Sequence, residues 1–287
     1  MMKNALTLSF LLLLSTVIYA APKEKTVNVM TFNIRMDNPE DGINNWKFRK
    51  EYAANLIKFH DADIVGAQEV LNNQFNDLIE RLPAYNHIGV GRTDGKKEGE
   101  ACAIFFRKDR FKIYESGTFW LSEDINAIGV KGWDAACERI ATWAILEDNN
   151  TGKKFFFLNT HLDHKGVIAR REGAKLILRK TKELSKGFPI IVTGDFNATK
   201  TDEPIQIITD EKNPEHLSDS KENAELKYGP EWTCHNFGRT PLKQRPIIDY
   251  LFIKGNFTVL KHGVLSENMG TLYPSDHSPV MATILIK

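Results

Sequence analysis

Polar residues recur at the ends of apolar, strand-like runs along this chain, and that recurrence limits the folds open to it. Asn33 closes the run that begins at Val27, Glu69 follows Asp63-Ile64-Val65-Gly66-Ala67-Gln68, and His161 ends Phe155 to Thr160. Asp195 and Asn197 close Pro189 to Gly194, and Ser275-Asp276-His277-Ser278-Pro279 precedes a last apolar run. Strand ends along one rim of a sheet are where a scaffold gathers groups remote in sequence. The pattern therefore predicts a single assembled site on a β-rich scaffold.

The gathered side chains narrow the chemistry. Carboxylates and amide oxygens, with no cysteine and no clustered histidines, suit a hard cation such as magnesium, which keeps several waters and is completed by substrate phosphate. Manganese is the expected substitute, and zinc fits poorly. Two histidines beside carboxylates supply what phosphate-ester hydrolysis needs: one group to orient or deprotonate water, another to steady charged oxygens.

Apolar periodicity gives alternating strands and helices, then a strand-richer middle. Strands are predicted at Val27–Ile34, Asp63–Ala67, Ala101–Arg107, Phe111–Trp120, Ile140–Glu147 and Lys154–Thr160, and later at Ile190–Thr193, Ile247–Ile253, Thr258–Ser266 and Pro279–Ile286. Helices are predicted at Trp46–Phe59, Asn72–Arg81 and Val167–Ser185, the last ended by Gly187 before Pro189. Asp148-Asn149-Asn150-Thr151-Gly152 reads as a hairpin loop. The polar stretch Asp210–Glu231 reads as a surface insertion, and no linker divides the chain. Two β-rich halves, each with helices, predict an α/β four-layer sandwich: two packed mixed β-sheets flanked by helices. At 287 residues the chain lies near the upper limit for one continuous core.

Lys3, the uncharged apolar run Ala5–Ile18, and the small residues Ala20 and Ala21 have the layout of a secretory signal. The expected organisation is a cleaved signal over residues 1–21 and one catalytic domain over 22–287. The apolar run is shorter than the ~20 residues a retained anchor helix needs, so no transmembrane anchor is expected after cleavage. The mature protein would be exported, periplasmic or secreted. Loss of Lys3 moves the formal charge from +1 to zero. A balanced surface disfavours stable duplex binding, because phosphate neutralisation supplies most of that affinity. Cys102, Cys137 and Cys234 are odd in number and widely spaced, giving neither a metal pattern nor a disulfide framework. Cys102 and Cys137 read as core residues, with a single bridge the alternative in an exported protein.

Thr31-Phe32-Asn33-Ile34, Gln68-Glu69-Val70, Asn159-Thr160-His161-Leu162, Gly194-Asp195-Phe196-Asn197, Ile248-Asp249-Tyr250 and Ser275-Asp276-His277-Ser278-Pro279 resemble, in order, the motifs of the endonuclease/exonuclease/phosphatase superfamily. The resemblance spans nearly the whole mature chain. It implies the same sandwich and magnesium-dependent cleavage of a phosphoester by activated water, with no covalent enzyme intermediate. By position it implies that Glu69 holds the metal, with Asn33 and Asp276 beside the ion. Asp195 corresponds to the aspartate that holds or deprotonates water, and Asn197 to the asparagine that steadies phosphate. His277 corresponds to the catalytic histidine and Asp249 to its carboxylate partner. His161 corresponds to a second phosphate-facing histidine, Glu100 to a partner carboxylate, and Arg139 to an arginine that forks onto phosphate or braces the site. Asp163 and His164 are candidate extensions of the site.

Glu98 stands where deoxyribonuclease I carries a phosphate-contacting tyrosine, and the tryptophan elements of inositol 5-phosphatases are missing. Phe119-Trp120-Leu121-Ser122 with Gly132-Trp133-Asp134 is most similar to an exported bacterial branch. Trp46, Trp120, Trp133 and Trp232 are candidate platforms for a base, sugar or lipid edge, and Trp133, between Gly132 and Asp134, is singled out for substrate contact. Lys96 and Lys97 in the charged run Arg92–Glu100 are candidates for the cleft rim. The expected partner is a phosphoester: a nucleotide, short nucleic acid, small phosphometabolite or lipid headgroup. The competing reading is a catalytically inactive binding or toxin-like module on the same fold.

Overall fold

Two β-α-β units set the frame. In a computed structural model describing residues 25–287, strand β1 (Thr26–Asn33) passes through helix α1 (Trp46–Phe59) to the parallel strand β2 (Ile64–Val70). Strand β3 (Tyr85–Ile88) and strand β4 (Ala101–Arg107) follow helix α2 (Asn72–Arg81). β5 (Phe111–Trp120) and β6 (Ile140–Asp148) pair as a long hairpin. β7 (Lys154–His161) then crosses through α3 (Val167–Leu184) to the parallel β8 (Ile190–Asp195). Helix α4 (Glu203–Thr209), the short strands β9 (Ser218–Asp219) and β10 (Ala224–Tyr228), and strands β11 (Asp249–Lys254), β12 (Phe257–Val264) and β13 (Val280–Ile286) complete the chain. The signal-peptide reading lies outside the described residues. Among those residues no helix is long and apolar enough to cross a membrane.

The strands form a seven-stranded sheet in the order β10-β12-β13-β1-β2-β4-β3 and a six-stranded sheet in the order β5-β6-β7-β8-β11-β9. Val29, Ile64, Ile104, Phe157, Ile191, Leu251 and Ala282 pack between the sheets. The alternate residues Met30, Phe32, Val65 and Phe105 pack on α1 and α2, while Phe156, Leu158, Val192 and Phe252 pack on α3 and α4. Both faces of each central strand are thus buried, which gives the expected four-layer sandwich.

The segment Asp210–Glu231 departs from the surface-insertion reading. It carries β9 and β10, which extend the edges of both sheets by pairing with β11 and β12. Its polarity is that of edge strands whose outer faces meet solvent. β3 and α4, also unforeseen, are short and bury few residues.

Along the central strands the inter-sheet face changes character toward one rim. Val29 gives way to Thr31 and then Asn33, Phe157 to Asn159 and His161, and Ile191 to Thr193 and Asp195. Stepping by two keeps each series on one face. In the middle tier Gln68 Nε2 donates to Thr31 Oγ1 (3.0 Å) and Asn159 Oδ1 (2.6 Å), and Asn159 Nδ2 donates to the carbonyls of Ala67 and Ala103 (both 2.9 Å). This amide ladder fixes the spacing of the two sheets beneath the rim.

Candidate active site

The rim collects the carboxyl ends of parallel strands and the amino ends of antiparallel ones. Asn33, Glu69, His161 and Asp195 lie at or near the ends of β1, β2, β7 and β8, Asp249 opens β11, and Asp276 and His277 precede β13. Glu69 reaches the group through a β-bulge. Gln68 and Glu69 together oppose Cys102 across β2 and β4, and Glu69 adopts φ 62°. Regular alternation from Ile64, Gly66 and Gln68 would send residue 69 toward the helices; the extra residue turns its carboxylate into the cleft. A left-handed non-glycine residue costs about 1–3 kcal/mol and is typical of sites held by their surroundings.

Asn33 Nδ2 donates to Glu69 Oε1 (2.9 Å) and Asp195 Oδ2 (3.0 Å). Its Oδ1 accepts from Arg35 N at 2.9 Å, so Asn33 bridges the two carboxylates. Asp195 Oδ2 also lies 3.4 Å from His161 Nε2 and 3.8 Å from His277 Nδ1, and Asp195 Oδ1 accepts from Asn197 N at 2.9 Å. Asn197 Nδ2 reaches His161 Nε2 at 2.9 Å. His277 Nδ1 meets Asp249 Oδ2 at 2.8 Å. Residues separated by more than two hundred positions therefore converge on one carboxylate, Asp195.

Environment divides these groups into distinct protonation states. Burial works against a charge on His277, but the Asp249 carboxylate outweighs it and holds the imidazole well above its usual value, as an imidazolium. Burial, then Arg139 and Arg92, hold His161 well below the usual value, so it is neutral. Burial and the Asp249 charge push Asp195 up to about 7, against the pull of His277. Burial also opposes the charge on Glu69, yet hydrogen bonds from Met36 N (2.9 Å) and Asn33 keep its carboxyl below the ordinary range. Groups pushed apart in this way are suited to separate acid and base tasks.

Glu69 and Asp276 offer carboxylate oxygens with Arg35 beside them, and burial followed by the Glu69 charge pushes the Asp276 carboxyl upward. Crowded oxygen donors of this kind fit a hard divalent cation. Glu100 is half-buried, pairs with Arg92 Nη1 at 2.7 Å, and lines a small cavity with Glu69, Arg139 and His161. Arg139 is buried at that cavity, donating through Nη2 to His164 Nδ1 at 3.1 Å, 3.5 Å from Asp163 Oδ2. Trp133 stands apart from the hydrogen-bonded group: half-buried, it packs on the apolar cluster under α3, and its backbone N–H donates to the Glu123 carboxylate. Trp46 and Trp120 are buried, and Arg245 stacks on Trp232. All three cysteines are free, Cys102 buried and Cys137 half-buried.

Some supports had no signal in the sequence. Arg49, fully buried, donates to the carbonyls of Asn44 (2.7 Å), Ile34, Arg35 (2.7 Å) and Pro274 (3.2 Å), binding the loop after β1 to the loop before His277. Gln74 braces the same loop through Arg35 O (2.8 Å) and Asp37 N (3.0 Å). Thr233 Oγ1 accepts from the N–H groups of Ile248 (3.1 Å) and Asp249 (3.2 Å), while Thr233 O accepts from Ser278 N (2.7 Å), so one residue aligns both halves of the His277–Asp249 pair.

The family model described as "Endonuclease/Exonuclease/phosphatase family" matches residues 30–277. The chain belongs to this family. Among solved members, an endonuclease/exonuclease/phosphatase from Bacteroides vulgatus is 44% identical over 92% of this chain and 100% of its own, with a TM-score of 0.89. The mannosyl-6-phosphatase of Bacteroides thetaiotaomicron is 38% identical, covering 90% of this chain and 99% of its own, with a TM-score of 0.84. A CCR4-Not complex 3'-5'-exoribonuclease subunit Ccr4 from Neosartorya fischeri is 31% identical over 134 residues, 41% of this chain and 18% of that relative's length. Endonuclease/exonuclease/phosphatase relatives thus include nucleases and phosphatases, and a phosphoesterase activity is the property they share.

Proposed function

We propose that this endonuclease/exonuclease/phosphatase family protein is an exported, magnesium-dependent hydrolase of phosphate esters of small alcohols. The observation that carries the reading is the convergence of Asn33, His161, Asn197 and His277 on Asp195, beside the carboxylates of Glu69 and Asp276. Glu69 and Asp276 would hold the ion, with Asn33 beside it bracing Glu69 against Asp195; when bound it supplies positive charge for the phosphate oxygens. Asp195 orients the attacking water and takes its proton. Asn197, His161 and Arg139 hold the phosphate, with Glu100 and Arg92 completing the wall. The His277 imidazolium, fixed by Asp249, faces the charge that develops on phosphorus-bound oxygen. The water oxygen bonds to phosphorus, the bond from phosphorus to the alcohol oxygen breaks, and a proton returns to that oxygen, giving alcohol and phosphate.

The mannosyl-6-phosphatase at 38% identity over nearly its full length supports a sugar phosphate as substrate. The Ccr4 relatives support nucleic acid as the second reading, over a smaller matched share. An inactive module would be expected to lose one of Glu69, Asp195, Asp249 or His277, and all four are in place.

The test is hydrolysis of mannose 6-phosphate and bis(4-nitrophenyl) phosphate by the purified protein, with magnesium and with chelator. Turnover should require the metal. Asp195→Ala and His277→Ala should each lower kcat by about a thousandfold or more in purified variants whose circular dichroism shows them folded at the assay temperature. Activity that survives chelation, or near-normal rates in either variant, would overturn the assignment.

A further inference from the structure

The turn after β7 places a histidine where the catalytic scheme has no use for one. Asp163 is buried, and its carboxylate accepts from the N–H groups of Ala136 (3.1 Å), Cys137 (3.4 Å), Lys165 (2.9 Å) and Gly166 (2.7 Å). It thereby ties the loop leading into β6 to the loop leading into α3. His164 sits on this fixed frame and is exposed. Cys137, Asp163 and His164 come close enough to resemble a cation site, but the Arg139 guanidinium already lies among them, 3.5 Å from Asp163 and 3.1 Å from His164.

Arg139 donates to His164 Nδ1, so that nitrogen is the acceptor and the imidazole proton is on Nε2. Burial and then Arg139 keep the ring below its usual pKa, hence neutral with its one donor on Nε2. Arg139 itself is buried and lines the cavity shared with Glu69, Glu100 and His161; its Nε faces Asp163 Oδ2 at 3.5 Å, while its Nη1 has no hydrogen-bond partner among the described residues. An unsatisfied buried guanidinium is costly unless a ligand completes it.

A phosphate monoester presents three terminal oxygens and close to two negative charges at neutral pH. A diester presents two such oxygens and one charge, and its third position carries a substituent. The metal-side carboxylates and His277 serve both kinds of ester equally; the additional oxygen of a monoester needs additional donors. We infer that Arg139 and His164 together bind this third terminal oxygen, so that the cleft prefers phosphate monoesters to diesters. Here His164 is a specificity-determining residue, and the inference rests on the hydrolase reading of the same site.

The experiment compares kcat/KM for mannose 6-phosphate and for bis(4-nitrophenyl) phosphate in the wild type, His164→Ala and His164→Gln. The monoester-to-diester ratio should fall about tenfold or more in the alanine variant, the loss expected for a hydrogen bond to a charged group. Glutamine, whose amide nitrogen can take the place of Nε2, should restore most of it. A ratio within twofold of wild type in His164→Ala overturns the inference, including when both rates fall together. Inorganic phosphate should also raise the melting temperature of the wild type more than that of His164→Ala. If the wild type hydrolyses neither ester yet shows this His164-dependent shift, the hydrolase reading fails and the anion site stands. A wild type on which phosphate has no effect overturns the anion site itself.

Discussion

Buried imidazoles in this protein take opposite charge states for reasons visible atom by atom. His277 has a carboxylate at 2.8 Å and keeps a proton; His262, on β12, bonds the Ser220 hydroxyl at 2.9 Å, and two nearby lysines outweigh the Glu231 carboxylate. Burial first, then Lys221 and Lys227, push His262 down to about 4 from an ordinary 6.5. Its folded form therefore binds fewer protons than the unfolded chain between these values. Stability is complete above about pH 6.5 and is lost as pH falls toward 4, by at most about 3 kcal/mol. Urea unfolding at pH 7 and pH 4.5 measures this as the His262 share of the difference: the loss on acidification should be smaller in His262→Gln than in the wild type, and an equal loss in both would refute it. The motif residues at the rim were legible because each lies at one end of an apolar run. Arg49, Gln74 and Thr233 were not, since their partners are backbone atoms brought near only by the finished fold, and no spacing in the chain announces them.

At the scale of elements, the close approach of β2 to β8 depends on a missing side chain. A Cβ on Gly66 would lie 2.2 Å from Thr193 Oγ1 and 2.7 Å from Asn159 Oδ1, inside the amide tier that sets the sheet spacing. Gly66→Ala is expected to cost about 1–3 kcal/mol through overpacking, read as a lower denaturation midpoint in urea. A midpoint equal to wild type would show that the tier yields freely. The helices α1 and α2 matched their periodicity to the residue, and most central strands to within a few residues, because burial on both faces leaves a strong apolar signature. β9 and β10 left none: edge strands of two and five residues with solvent-facing side chains look like loop until their partners are known. The bulge at Glu69 was equally hidden, since it is a matter of register between β2 and β4.

For the whole molecule, 38 basic and 37 acidic residues leave a net charge of only +1, too little to hold a polyanion. A fluorescently labelled DNA duplex at 150 mM salt should show no saturable anisotropy change below about 10 µM protein. Submicromolar binding would return long nucleic acid to first place among substrates. The sandwich itself was readable from the repeated alternation and the two crossover helices. Which rim the polar residues share was readable from their position at strand ends, whereas the preference among esters belongs to the turn after β7, where a single hydrogen bond decides which nitrogen of His164 carries its proton.

The upward change from apolar to uncharged polar to site side chains along the central strands separates two kinds of evolutionary freedom. The lower tiers fix cooperativity and hardly tolerate novelty, while the loops above them are anchored at their roots and open at their tips. A descendant could acquire a taste for a different alcohol by redrawing those tips, and the chemistry at phosphorus would carry over unchanged.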